Sequence, residues 1–365
     1  MSEKRVAPIE KRTLPATFYR SRRLYEHSLD AIFARTWQWL TDSGSYPEEG
    51  AVAPVTLLPG ALNEPLLLIA GARGESPSCL SNVCTHRGAI LVEHGCQAKS
   101  LRCRYHGRRF SLDGTYQSAP GFEEAVNFPQ KQDHLSSLKL EHWGPFAFAS
   151  LDPVFAFSEL MGHMSERLSF LNLDRLVFKP ELSNDYDINA HWALYVDNYL
   201  EGLHIPFVHP SLTSVLDLKS YRTELFQYGN LQLGVAAGKG DCFDLPPHSQ
   251  DYGQEIGAYY YWLFPNMMFN FYPWGLSLNI VSPQGHDRTR VHFRTYVLDE
   301  TRMGSYSPAD IKQTEMEDED VVHLVQKGIQ SRLYQSGRYA PTWEQGVQQF
   351  HQLMARLMDT ELGID

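Results

Sequence analysis

The chain has 365 residues, 43% hydrophobic and 21% charged, with a formal net charge of −11. That length allows two domains and a large core. The acidic balance argues against nucleic acid as a main partner. No apolar run approaches the ~20 residues that cross a bilayer, so no membrane partner is expected either.

The opening residues MSEKRVAPIEKRTLPATFYR are charged and carry no apolar stretch. They are expected to be neither a secretory signal nor a membrane anchor. RSRRLYEHSLDAIFARTWQWL has apolar residues at helical spacing, which predicts one or two amphipathic helices in an N-terminal segment, 1–45. From 46 to 153 the runs are short and bounded by Gly and Pro, as in EPLLLIAGARG, RRFSLDGTY and GPFAFASLDP. They predict a small all-β domain with a hairpin turn at Asp113-Gly114. From 154 to 365 the chain mixes helices and longer strands. LMGHMSERLSFLNLDRL starts as a helix. AYYYWLFPNMMFNFY, LSLNIVSP and TRVHFRTYVLDE read as antiparallel strands. DIKQTEMEDEDVVHLVQKGIQSRLY and VQQFHQLMARLM return to helical periodicity. The class predicted is α+β, with a catalytic domain of antiparallel sheet covered by helices.

Five cysteines in so long a chain do not make a disulfide framework. Cys79, Cys84, Cys96 and Cys103 crowd into one segment, and Cys242 stands apart as a small apolar residue. In the reducing cytoplasm, the expected location, clustered cysteines point to metal. In CTHRGAILVEHGCQAKSLRCRYHG, Cys84 and His86 flank one residue and Cys103 and His106 flank two. A zinc site could use the same atoms, but zinc fingers usually run two cysteines, then two histidines. The alternating order suits two similar loops, each giving one thiolate and one imidazole. Two such loops can hold two irons, with thiolates on one and imidazoles on the other. Gly88, Gly95, Gly107 and Gly114 fit the turns.

This segment resembles the Rieske 2Fe–2S motif. Imidazole in place of two thiolates raises the potential of such centres to roughly −150 to +300 mV. The respiratory branch carries an extra disulfide-forming cysteine in each loop. The matching positions here are Ala89 and Tyr105, which favours the oxygenase branch, and Cys79 and Cys96 do not replace the missing pair. Between Cys84 and Phe110 stand six basic residues and one acid, Glu93. That positive face could steer an acidic redox partner, or its arginines could cap loops.

In DNYLEGLHIPFVHP, His204 and His209 lie five apart. On an ideal helix that spacing is ~140°, so both rings would not face one metal. Pro206 is expected to break the helix and let them converge, with Glu201 and His204 sharing a face of the preceding helix. Two histidines and a carboxylate on one face of an iron leave positions open for oxygen and substrate. The stretch resembles the mononuclear-iron motif of Rieske non-haem oxygenase α subunits, the aromatic-ring-hydroxylating dioxygenase family. The resemblance covers nearly the whole chain.

It implies a helix-grip, START-like catalytic domain, a 2Fe–2S cluster on Cys84, His86, Cys103 and His106, and mononuclear Fe(II) on His204 and His209. The third ligand would come from EMEDEDVVHLVQKG, with Asp318 as the choice and Glu317 and Asp320 as alternatives. Glu201 would be a bridge carrying electrons from His106 of a neighbouring subunit to His204, in a homotrimer. Asp197 and Asn198 could assist. Electrons would come from NAD(P)H through a separate flavin or iron–sulfur reductase, or a ferredoxin. The aromatic strands resemble those of enzymes that oxidise quaternary ammonium compounds such as choline, betaine and carnitine. Tyr259, Tyr261, Phe264, Phe271 and Trp274 are the candidate pocket residues, by cation–π attraction of roughly 0.5–2 kcal/mol per contact. The expected function is a monooxygenase acting on such a cation. The alternative is aromatic-ring dioxygenation. A pure electron carrier and a zinc-stabilised binding protein are the rivals from other classes.

Overall fold

Strands with apolar residues on both faces belong inside a protein, and two parts of this chain are built from them. The computed structural model describes residues 12–71, 77–238, 241–303 and 308–359. The chain divides into two compact units, one of Ala34–Val154 and one of Met1–Phe33 with Phe155–Asp365.

The smaller unit holds an antiparallel sheet in the order Gln38–Asp42, Phe146–Ser150, Ser137–Trp143, Ser78–Ser81, Glu64–Ile69, Ala51–Leu57 and Cys96–Gln97. A second sheet joins Leu101–Arg102, Arg109–Phe110 and Tyr116–Ser118. EPLLLI is continuous in apolar residues because it packs on both faces. Leu67 and Ile69 join Cys84, Cys103 and Phe110 in one cluster, whereas Leu66 and Leu68 join Leu40, Leu57 and Cys79 in another. Helical periodicity in TWQWL does not survive here: Gln38–Asp42 is a strand, paired with Phe146–Ser150. Its aromatic and β-branched residues suit a pleated surface better than a helix.

The larger unit contains a long antiparallel sheet. Its main order is Val177–Phe178, Arg288–Val297, Gly275–Gly285, Met267–Tyr272, Ile256–Leu263, Gly229–Val235 and Arg222–Phe226. Asn184–Ile188 also pairs with Arg288–Val297. The helices are α1 (Ala16–Arg20), α2 (Arg22–Ala31), α3 (Phe157–Arg167), α4 (Trp192–Tyr199), α5 (Ile205–Val208), α6 (Pro210–Val215), α7 (Pro308–Gly328) and α8 (Gln345–Met358). The central helix α4 lies against α7 and against Gly275–Gly285. His191 caps α4, its Nδ1 accepting from the Ala193 N–H at 3.2 Å. Among the described residues no helix is long and apolar enough to cross a membrane.

Candidate metal centres

In the smaller unit the two Cys–His segments fold into two loops with one hydrogen-bond pattern. Cys84 N–H donates to Ala89 O at 2.8 Å and Gly88 N–H to Cys84 O at 3.0 Å. In the second loop Cys103 N–H donates to Arg108 O at 2.8 Å and Gly107 N–H to Cys103 O at 3.0 Å. Gly88 and Gly107 occupy matching places at φ 69° and 75°, where a Cβ would be strained. The loops bury Cys84 and Cys103 at their base. His86 and His106 come together nearer the surface, with ring centroids 4.7 Å apart. Burial, with Cys103 close by, raises the Cys84 thiol above its ordinary value.

Thiol thus faces thiol and imidazole faces imidazole, which fits a two-metal cluster better than one ion among four ligands. Arg108 supports the site: its guanidinium is buried, donates to Thr85 Oγ1 at 2.9 Å and lies 4.9–5.4 Å from the ring centroids of Tyr116, Phe122 and Phe128. Cys79 packs in the other apolar cluster and Cys96 is exposed.

In the larger unit α4 stops at Tyr199, and Glu201 and His204 lie in a bend rather than on that helix. Gly202 leaves room there for the Tyr221 ring, which would have to shift for a Cβ placed 2.7 Å away. The convergence differs from the expectation. Pro206 does not break a helix; it sits in the first turn of α5, where a missing N–H costs nothing. The break falls at His209, non-helical at φ −117° and ψ 79°, with Pro210 beginning α6. One helical turn followed by that corner turns both rings inward, with centroids 5.1 Å apart.

Asp318 meets them from α7. Its Oδ1 lies 3.0 Å from His209 Nε2 and 3.6 Å from His204 Nε2. Among the described residues this is the one group of three that could hold a metal ion, its ligand atoms within 4.8 Å of one another. Two imidazoles and one carboxylate with open space beside them fit a single divalent metal. Each histidine is oriented from behind by its own glutamate: Glu201 Oε1 is 2.5 Å from His204 Nδ1, and Glu317 Oε2 is 2.8 Å from His209 Nδ1. Such partners fix the ring and raise its basicity. Burial opposes charge on His209, but Asp318 and Glu317 outweigh it and raise its pKa.

Glu201 also accepts from the backbone N–H groups of Leu203 and His204. Asn198 donates to Asp318 Oδ1 at 2.6 Å. Asp197 is engaged elsewhere, by Tyr19 Oη at 2.7 Å and His351 Nε2 at 2.8 Å. Asp320 is exposed.

A cavity opens beside the three residues, and its aromatic wall is not the expected one. Tyr260 and Tyr272 line it, with Phe293 and the amides of Gln232, Asn270 and Asn279. Tyr259, Tyr261 and Phe271 are buried on the opposite face of the sheet, where Tyr259 packs against Phe170 and Phe243. Phe264 packs on Trp262 and Phe350, and Trp274 lies behind Tyr272 as a stacked ring. Strand residues alternate between faces, so Tyr259, Tyr261 and Phe271 were one residue out of phase, whereas Phe264 and Trp274 lie beyond the strand ends. With aromatics on both faces, the run YYYWLF carries no signal of phase. Tyr195 and Glu315 also line the cavity; no motif marks Tyr195 in its helix, and Glu315 opens the acidic segment EMEDED without being among the candidates drawn from it.

Residues 36–129 match the family model for the Rieske [2Fe-2S] domain, and residues 177–360 match that for the catalytic domain of the ring-hydroxylating alpha subunit. Chloroplastic choline monooxygenase of Amaranthus tricolor is 30% identical over 93% of this chain and 76% of its own length. The carnitine monooxygenase oxygenase subunit of Escherichia coli K12 is 27% identical over 96% of this chain and 95% of its own. Among solved structures, a quaternary ammonium Rieske monooxygenase in complex with L-carnitine gives a TM-score of 0.73 at 23% identity, covering 96% of this chain and 97% of that one. Naphthalene 1,2-dioxygenase from Rhodococcus sp. gives 0.71 at 17% identity, covering 96% and 95%. At these identities the structural likeness speaks for the fold alone.

Proposed function

We propose that this chain, which belongs to the ring-hydroxylating α-subunit family of Rieske non-haem iron oxygenases, is the oxygenase component of a monooxygenase for a small quaternary ammonium compound. The observation that carries the proposal is the His204–His209–Asp318 group beside a cavity walled by Tyr260, Tyr272 and Phe293. When bound, the cluster supplies single electrons and the iron activates O2. One oxygen atom enters a C–H bond and the other leaves as water, consuming two electrons and two protons. Hydroxylation beside the nitrogen ends in C–N cleavage, and hydroxylation of an alcohol carbon ends in an aldehyde.

The protein's own part is positional. His204, His209 and Asp318 would ligate the iron, while Cys84, His86, Cys103 and His106 would ligate the cluster. Glu201 and Glu317 hold the two iron imidazoles with Nε2 forward. The aromatic wall would hold the methylated cation by its ring faces. We further read the protein as a cytoplasmic homotrimer in which Glu201 also meets His106 of a neighbouring subunit, with a separate reductase as electron donor. The names of the choline and carnitine monooxygenase relatives support the substrate class.

The test is product analysis with a competent reductase, offering choline, glycine betaine and carnitine against simple aromatics. The expected result is oxygen-dependent product from a quaternary compound, abolished in His204→Ala while the visible spectrum of the cluster persists. Ring hydroxylation without turnover of any quaternary compound would assign the protein to the dioxygenase reading instead.

A further inference from the structure

Glu315 stands one turn before Asp318 on α7 and so shares its face. The residue is 3% exposed, yet it lines the cavity beside the three metal-site residues. Tyr195 Oη donates to its Oε2 at 2.6 Å. Its other oxygen, Oε1, is buried without a hydrogen-bond partner. A buried carboxylate with one oxygen unmatched is costly unless a charge arrives to compensate it. Burial, and then the charge of Asp318, push its carboxyl well above the usual carboxylate range, so the empty cavity favours the neutral acid and a cation seated beside it favours the charged form. None of the described lining residues is Lys or Arg, and the imidazoles of His204 and His209, which also line the cavity, are directed at Asp318.

We propose that Glu315 is the counter-charge that seats the substrate's ammonium group, and so determines the enzyme's preference for a cation over a neutral molecule of the same shape. This rests on the quaternary ammonium reading above. A quaternary nitrogen has no N–H to donate, so it is recognised by charge and by ring faces, and both are present. Tyr260 and Tyr272 lie with centroids 5.9 Å apart and planes at 76°, forming a corner in the same cavity. The reacting C–H bond is within a bond or two of the nitrogen, so the charge must sit close to the metal. A carboxylate one helical turn from Asp318 meets that requirement. Gln232, Asn270 and Asn279 face the remaining space and suit a hydrogen-bonding tail.

The experiment is equilibrium binding by calorimetry to the cluster- and iron-loaded enzyme without oxygen. The probes are choline, glycine betaine and carnitine, with the cation-to-isostere ratio read on choline against its neutral carbon isostere 3,3-dimethylbutan-1-ol, because the carbon isosteres of the other two keep a carboxylate and are anions. Wild type should prefer the bound cation over its isostere, and Glu315→Gln should reduce that ratio roughly 30-fold or more while leaving the neutral isostere unchanged. Glu315→Asp keeps the charge and should retain part of the preference. Tyr195→Phe removes the hydrogen bond but not the charge, and should keep most of it. Equal loss for cation and isostere in Glu315→Gln, or an unchanged ratio, would overturn the assignment to Glu315 alone. Failure of wild type to bind any of the three quaternary compounds would instead overturn the substrate class.

Discussion

Glu317 holds His209 through Nδ1 at 2.8 Å, which leaves Nε2 directed at Asp318. The glutamate therefore works on the metal site through the imidazole. Glu317→Ala should lower metal affinity about 10–100-fold, because the ring loses both its orientation and its enhanced basicity. Glu201→Ala should do the same through His204, which it grips in the equivalent way. Iron titration of the metal-stripped protein measures this, with the visible spectrum as the control that the cluster unit is untouched. Unchanged affinity in both variants would mean that the glutamates are spectators.

Neighbouring tyrosines on one strand should behave in opposite ways. Tyr260 faces the cavity, and Tyr260→Leu should weaken binding of a quaternary cation by about 0.5–2 kcal/mol, with little change in stability. Tyr259 faces the core, where its hydroxyl donates to the buried Asp251 at 2.9 Å. Asp251 also pairs with Arg167 at 2.6 Å. Tyr259→Phe should therefore cost about 1.5–3 kcal/mol of stability and leave KM alone. Urea unfolding beside steady-state kinetics separates the two. A KM effect from Tyr259→Phe would reverse the assignment of faces.

This pair also marks where the sequence stopped being legible. The Cys–His segment could be read because a cluster draws its ligands from two short loops, so its chemistry is local in the chain. The class of the catalytic unit could be read because a run of consecutive long strands, with helices before and after it, leaves few packings. Phase could not be read, since YYYWLF is apolar on both faces and period alone does not say which side meets the cavity. Among the acids 317, 318 and 320, the choice of Asp318 comes from the resemblance, and the structure brings that residue to the two histidines. On α7 successive residues turn by ~100°, and the helix sends Glu317 to the far nitrogen of His209, Asp318 to the near nitrogens and Asp320 to the surface. Pro206 misled because a proline inside a motif suggests a break, whereas in the first turn of a helix it is well tolerated.

Arg108 should tune the cluster's potential. Its charge is held against Thr85, in the loop that carries Cys84 and His86, and faces Asp133 at 3.5 Å. Reduction adds an electron, which a nearby buried positive charge favours. Arg108→Gln should lower the midpoint potential, by something on the order of tens of millivolts. Arg108→Lys should recover most of the loss. Voltammetry on the purified protein reads both. A potential that stays put or rises would show that Asp133 and the three rings already neutralise the guanidinium.

His191 should set the acid limit of stability in the larger unit. Its ring is fully buried among Phe18, Tyr19 and Trp192, and its Nδ1 caps α4, the helix that carries Asn198 toward Asp318. An acceptor nitrogen must be unprotonated. Burial, with the charge of His286 second, holds the pKa down at about 3. In the unfolded chain the same imidazole titrates near 6.5. Below about pH 6.5 the unfolded chain therefore takes up a proton that the folded chain refuses, and stability falls with falling pH. The loss continues until about pH 3, with a slope of up to ~1.4 kcal/mol per pH unit from this residue. His191→Asn keeps a capping oxygen but removes the titration. The variant should be less stable at pH 7, because it leaves a cavity among the rings, yet lose less as the pH drops. Urea midpoints at pH 5, 6 and 7 give the two slopes. Parallel slopes would mean that another group governs acid unfolding, and that the cap tolerates a charged imidazole.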